Sequence, residues 1–134
     1  MTMYIGGVLG GPESRQSEFF KILTSSSRAM KSAGEIGSAS IDLVFLMPGS
    51  LTAPNFEGLR TGKFSRAKKT LMIQVAVPDR LVHDEQPLAF IVGAMREAVI
   101  LAKTVFKKAK IDFDEPAYNR AINIVETQLR NAEE

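Results

Sequence analysis

Residues 68–78, KKTLMIQVAVP, contain the strand around which the rest of the chain is organised. Positions 71, 73, 75 and 77 hold leucine, isoleucine and two valines, which share one face at the period of a β-strand. The other face carries a single polar side chain, Gln74, between Met72 and Ala76. A strand that is apolar on nearly both faces is typical of the interior of a sheet. Pro78 ends this strand, because proline cannot donate to a ladder.

Hydrophobic periodicity, together with glycine, proline and capping residues, predicts the remaining elements. The predicted strands are 3–9, 41–47, about 55–60 and 70–77, and the predicted helices are 13–33, 85–109 and a last helix that Asp114 caps. Short links join the strands between 41 and 77, which favours antiparallel pairing. The sequence therefore predicts an α+β fold, in which an antiparallel meander of about four strands packs against three helices in the order β-α-β-β-β-α-α.

Length and composition limit the classes of protein. The chain has 134 residues without a long linker, so we expect one globular domain over 1–134. It has no cysteine, which excludes disulfides and thiolate metal sites and fits a reducing compartment. The N-terminus has no basic segment followed by a long apolar run, so we expect no signal peptide. Arg96 and Glu97 interrupt the longest apolar stretch, so we expect no membrane span and a cytoplasmic location.

Motifs that carry enzyme or cofactor chemistry are weak or missing. The glycine-rich start lacks the spacing of a phosphate-binding loop. His83 is the only histidine, and it is followed by Asp84 and Glu85. A helix start with a capping residue explains this sequence better than a metal site does. Asp112, Asp114 and Glu115 lie where a loop enters a helix, which favours capping over acid–base catalysis but leaves a small-ligand or catalytic site as an alternative. We therefore expect a non-enzymatic protein without metal or cofactor.

A basic run precedes the central strand and contains no acidic residue. Its members are Arg60, Lys63, Phe64, Arg66, Lys68 and Lys69. Three interpretations are open: a solvated loop whose lysines protect the strand entry, a nucleic-acid surface in which Phe64 stacks on a base, or a surface for an acidic protein partner. The formal charge of the chain is only +2, which by itself does not indicate nucleic acid.

The order of segments resembles a known class of proteins. A glycine-rich first strand and a helix precede IDLVFLMPG at 41–49, and GKFSRAKKTLMIQVAVP at 62–78 is followed by a long helix and an amphipathic one. This arrangement, and 64–78 most of all, is similar to small α+β immunity proteins of bacterial polymorphic-toxin and contact-dependent growth inhibition systems.

The resemblance implies a cytoplasmic protein that binds one cognate toxin domain and blocks its active site. Many such toxins are basic nucleases bound by acidic immunity proteins, and the slightly basic charge of this chain departs from that pattern. We expect the partner to contact Arg60–Lys69. A small nucleic-acid-binding domain that uses the same run is the alternative. The broad apolar faces also leave a homo-oligomer open.

Overall fold

The computed structural model describes residues 1–6, 18–32, 39–46, 56–78 and 87–133. The elements within these ranges are, in chain order, β1 (Thr2–Gly6), α1 (Glu18–Ser32), β2 (Ser40–Leu46), β3 (Leu59–Ser65), β4 (Thr70–Ala76), α2 (Leu88–Lys108) and α3 (Glu115–Glu133). The α+β class is confirmed, as are the three predicted helices. Some predicted positions lie outside the described residues. These are His83 and the element ends predicted at 7–9, 13–17, 33, 47 and 85–86.

The strands form one mixed sheet in the order β1-β2-β4-β3. β1 pairs with β2 and β2 pairs with β4 in parallel, whereas β3 pairs with β4 antiparallel. The predicted antiparallel meander is therefore wrong: only the β3–β4 pair is antiparallel, and β4 lies between β2 and β3. Helix α1 carries the chain back between β1 and β2, which makes that pair parallel. Residues 47–58 are long enough to place β3 at the edge, so that β4 returns between β2 and β3.

The interior position predicted for the central strand is confirmed, because β4 lies between β2 and β3. Leu71, Ile73, Val75 and Val77 are no more than 2% exposed. The register places Ile41, Leu43 and Phe45 of β2 beside the first three of these, and all of them are buried. The two strands therefore supply the sheet side of a single core that the helices cover.

The three helices build the other side of that core. Helix α1 contacts β1, α2 crosses β2, β3 and β4, and α3 packs against both α1 and α2. The buried residues of α2 occupy much more than a narrow stripe: Leu88, Ile91, Val92, Ala94, Met95, Ala98, Val99, Ala102 and Phe106. This breadth follows from its position, since α2 has the sheet on one side and α3 beside it.

Ser26 is a buried polar residue in α1. Its side chain is fully buried, and its hydroxyl donates a 2.7 Å hydrogen bond to the carbonyl of Ile22, one turn earlier. The hydroxyl is therefore satisfied without a partner from another element.

Four aromatic rings form a continuous series through the core. Phe64 meets Phe106 edge to face with ring centroids 5.9 Å apart, Phe106 stacks on Phe113 at 5.3 Å, and Phe113 stacks on Tyr118 at 5.0 Å. The hydroxyl of Tyr118 donates a 3.0 Å hydrogen bond to the carbonyl of Ala39, immediately before β2. The series thus joins the edge of the sheet, the end of α2, the start of α3 and the entry to β2.

Tyr118 is expected to make the folded state less stable at alkaline pH. Burial, with a smaller contribution from the charge of Asp42, raises the pKa of Tyr118 from 10.0 to about 12. The folded state thus favours the protonated phenol, so its contribution is complete below pH 10 and is lost as the pH rises to 12. We expect the free energy of unfolding to fall by about 2 kcal/mol from this group over that window.

Urea denaturation at several pH values between 9 and 12 measures this dependence. The matched variant is Tyr118→Phe, which is expected to be less stable at every pH because it loses the hydrogen bond to Ala39, and to show a shallower decline above pH 10. An equally steep decline in the variant would assign the alkaline sensitivity to other groups.

Candidate protein-binding surface

The predicted contact residues lie on the edge strand of the sheet and in the turn that follows it. Arg60, Lys63 and Phe64 belong to β3, whereas Arg66, Lys68 and Lys69 form the turn before β4. The short strand predicted at about 55–60 therefore has different bounds, Leu59–Ser65, and the turn that follows it is at 66–69. Five of these six residues are exposed, and Phe64 is only partly exposed.

The turn has a defined backbone geometry. The N–H of Lys69 donates to the carbonyl of Arg66 at 3.3 Å, and the N–H of Lys68 donates to the Ser65 hydroxyl at 3.2 Å. Lys69 has a φ of 52°, which lies in the left-handed region that non-glycine residues seldom adopt. The side chains of the turn therefore project from a backbone that local hydrogen bonds hold in place.

Phe64 is turned toward the core by a bulge in β3. The register is interrupted between Thr61, which lies opposite Ile73, and Phe64, which lies opposite Leu71. The extra residue brings Phe64 to the helix-covered face in the place that strict alternation would give to Lys63. Its ring then packs against Phe106, and the side chain is only partly exposed. Sequence alternation did not reveal this, because a bulge leaves no clear signal in a short polar strand.

Arg60 is held on the opposite face of the sheet. Its guanidinium carbon lies 4.2 Å above the centre of the Phe56 ring, and its Nε donates a 2.7 Å hydrogen bond to Oε1 of Gln74. Arg60 and Gln74 are directly opposite in the β3–β4 register. An arginine fixed by stacking and by a hydrogen bond has little rotamer freedom left to lose on binding.

Arg66 connects the turn to the end of α2. One of its terminal nitrogens donates a 2.8 Å hydrogen bond to the carbonyl of Ala109, the residue that follows the helix. This contact brings together two groups of cations that are far apart in sequence. We call them the basic surface, which consists of Arg66, Lys68 and Lys69 in the turn and Lys107, Lys108 and Lys110 at the end of α2.

All six members of the basic surface are exposed. Nothing in the sequence indicated that the lysines at the end of α2 would lie close to the turn. Cations also complement the negative end of a helix dipole, so Lys107 and Lys108 have a local role in α2 as well. A surface that combines both groups presents a larger positive field than either group does alone.

The ion pairs of the described residues lie elsewhere. Glu126 accepts from Arg96 at 2.9 Å and from Arg130 at 3.0 Å, and Lys103 meets Glu115 at 3.0 Å. The hydrogen bond from Arg96 is the main reason why the pKa of Glu126 lies below its ordinary value. Within the described part of the chain, the cations of the basic surface form no salt bridge, and all six residues are exposed.

The acidic cluster before α3 has structural explanations. Oδ1 of Asp114 accepts a 3.1 Å hydrogen bond from the N–H of Ala117, so its predicted capping role is confirmed. Glu115 pairs with Lys103, and Asp112 is exposed. The described ranges contain no group of three or more histidine, cysteine or acidic side chains arranged to hold a metal ion.

No helix in the described ranges has the length and apolar character needed to cross a lipid bilayer. Comparisons with models of known protein families, with curated proteins and with solved structures give no match to this chain. The similarity to immunity proteins therefore remains a hypothesis.

Proposed function

We propose that this chain is a non-enzymatic immunity protein that binds and neutralises a cognate toxin domain in the cytoplasm. The observation that carries the proposal is the hydrogen bond from Arg66 to Ala109, which assembles the basic surface from two distant segments. The partner would present an acidic surface, because complementary charge speeds association and selects among partners. The arrangement of segments similar to immunity proteins gives the class of the partner.

The position of Phe64 favours a protein partner over nucleic acid. Sequence-tolerant binding of single strands uses aromatic rings on which bases stack. Phe64 was the aromatic residue within the basic run, and its ring packs against Phe106 instead. Phe56 is covered by the guanidinium of Arg60. Both rings already have a partner and are only partly exposed, whereas the cations of the basic surface are exposed. This arrangement suits an acidic protein surface better than a stacked strand.

Nucleic-acid binding remains the second candidate, because six exposed cations on one surface also suit a phosphate backbone. Salt dependence separates the two candidates. Binding to a 20-nucleotide DNA or RNA through these cations would weaken by orders of magnitude between about 50 and 200 mM salt. Binding to an acidic protein surface would weaken much less over that range, because it does not release the condensed counterions of a phosphate backbone.

The direct test is binding to the product of the adjacent gene. We expect a one-to-one complex on size-exclusion chromatography and a dissociation constant below micromolar by titration calorimetry, as is usual for an inhibitor with a standard-size interface. The toxin activity of that product would fall in proportion to the complex formed. No complex at micromolar concentration would contradict the proposal, and tight, salt-sensitive binding to DNA or RNA would favour the alternative.

A further inference from the structure

The outer edge of β3 offers main-chain groups for a further strand. β3 pairs with β4 on one side, and among the described residues no strand lies on its other side. Arg60, Thr61, Gly62 and Lys63 are all exposed. An uncovered edge strand is a template for an extended segment of another chain, and this mode of recognition recurs among peptide-binding proteins.

Two hydrogen bonds determine which main-chain groups of β3 face outward. The N–H of Ala76 donates to the carbonyl of Gly58 at 2.9 Å, so this opposed pair is a hydrogen-bonded one. Bonded and non-bonded pairs alternate along an antiparallel ladder, so the N–H and C=O groups of Leu59 and Thr61 point away from β4. The 3.1 Å bond from the N–H of Val77 to Leu46 agrees, because it shows that alternate residues of β4 face β2.

The bulge limits the length of edge that a further strand can use. Regular pairing of β3 with β4 extends from Leu59 to Thr61 and is then interrupted before Phe64. Lys63 lies within the interruption and is exposed, and both features discourage pairing beyond it. The usable part is therefore Leu59–Thr61, which is held in place by the contacts of Arg60 with Phe56 and Gln74.

We propose that the main chain of Leu59–Thr61 binds an extended acidic segment of the partner protein as an added strand beside β3. This inference rests on the proposed function and specifies how the partner is held. Arg60 and Lys63 lie on this strand and the basic surface begins at its end, so acidic side chains of the added segment would meet opposite charge. A second copy of this chain fits poorly, since two β3 edges would bring Arg60 and Lys63 against the same cations of the other copy.

The test uses a proline at an outward-facing position. Thr61→Pro removes one outward N–H and leaves the groups that face β4 intact, and proline is tolerated on edge strands. Thr61→Ala is the matched control, because it removes the same side chain and keeps the N–H. We expect Thr61→Pro to weaken binding to the adjacent gene product at least tenfold, whereas Thr61→Ala changes it less than threefold. Circular dichroism melting verifies that both variants fold.

Hydrogen exchange on the wild-type protein gives a second readout that does not depend on the proline variant. We expect the amides of Leu59 and Thr61 to exchange rapidly in the free protein and at least tenfold more slowly in the complex. If a complex forms but these amides stay unprotected, the edge inference is overturned and the proposed function stands. If the adjacent gene product forms no complex, both fail. If the free protein dimerises through this edge, as shown by light scattering and protection of the same amides, a second copy replaces the partner segment and the inference is overturned.

Discussion

Replacing Phe106 with alanine is expected to cause the largest loss of stability among single substitutions in this chain. Its side chain is fully buried and lies between Phe64 and Phe113 in the aromatic series. Large-to-small substitution of a buried phenylalanine costs about 3–5 kcal/mol, because apolar contacts are lost and a cavity remains. That is a large fraction of the roughly 5–15 kcal/mol by which a domain is stable.

Ile100 provides a matched control within the same helix. Its side chain is 64% exposed, so Ile100→Ala is expected to change the free energy of unfolding by less than about 0.5 kcal/mol. Urea denaturation followed by circular dichroism compares the two variants with the wild type. We expect the midpoint of Phe106→Ala to fall clearly below the other two. Equal midpoints for the two variants would show that the aromatic series is not central to the core.

Reversing charge in the turn is expected to cause the largest loss of binding. Lys68→Glu combined with Lys69→Glu changes the sign of the charge at two of the six positions of the basic surface. Both side chains are exposed, and Arg66 remains to hold the turn against α2, so the fold is expected to be unchanged. We expect affinity for the adjacent gene product to fall about a hundredfold at low salt, chiefly through slower association.

The matched control reverses two cations on another surface. Lys21 and Arg28 are exposed on α1, and Lys21→Glu with Arg28→Glu gives the same net charge. Surface plasmon resonance at two salt concentrations compares both double variants with the wild type. We expect the control to bind within about threefold of the wild type, because its cations lie outside the contact surface. Similar losses in the two variants would indicate a general effect of net charge, and no loss in either would remove the basic surface from the interface.

The sequence predicted correctly those features that depend on residues close to one another in the chain. The alternation in 71–77 gave the buried face and the interior position of β4 correctly. Asp114 was identified as a cap because a carboxylate just before a helix has a direct partner in the first turn. Each of these inferences depends on neighbours within one or two turns or on a single strand.

Relations between distant segments were not predictable in the same way. Nothing in the local pattern determines that β4 inserts between β2 and β3, so the predicted antiparallel pairing holds for β3–β4 and fails for the parallel pair β2–β4. Arg66 and Ala109 are separated by the whole of β4 and α2, and their contact follows from the packing of α2 on the sheet. Phe64 was expected to face a partner, and the bulge before it turns it toward the core instead.

The strand order has a consequence for how the chain folds. Only the turn at 66–69 separates β3 from β4, whereas residues 47–69 separate β2 from β4. Because closing a longer loop costs more entropy, we expect the β3–β4 hairpin to form before β2 pairs with β4. Until β2 docks, the apolar strand β4 presents an unpaired edge on which other nascent chains can aggregate. Lys68 and Lys69 flank that strand at its start and repel such association. The cations assigned to partner binding would thus also guard the central strand during folding.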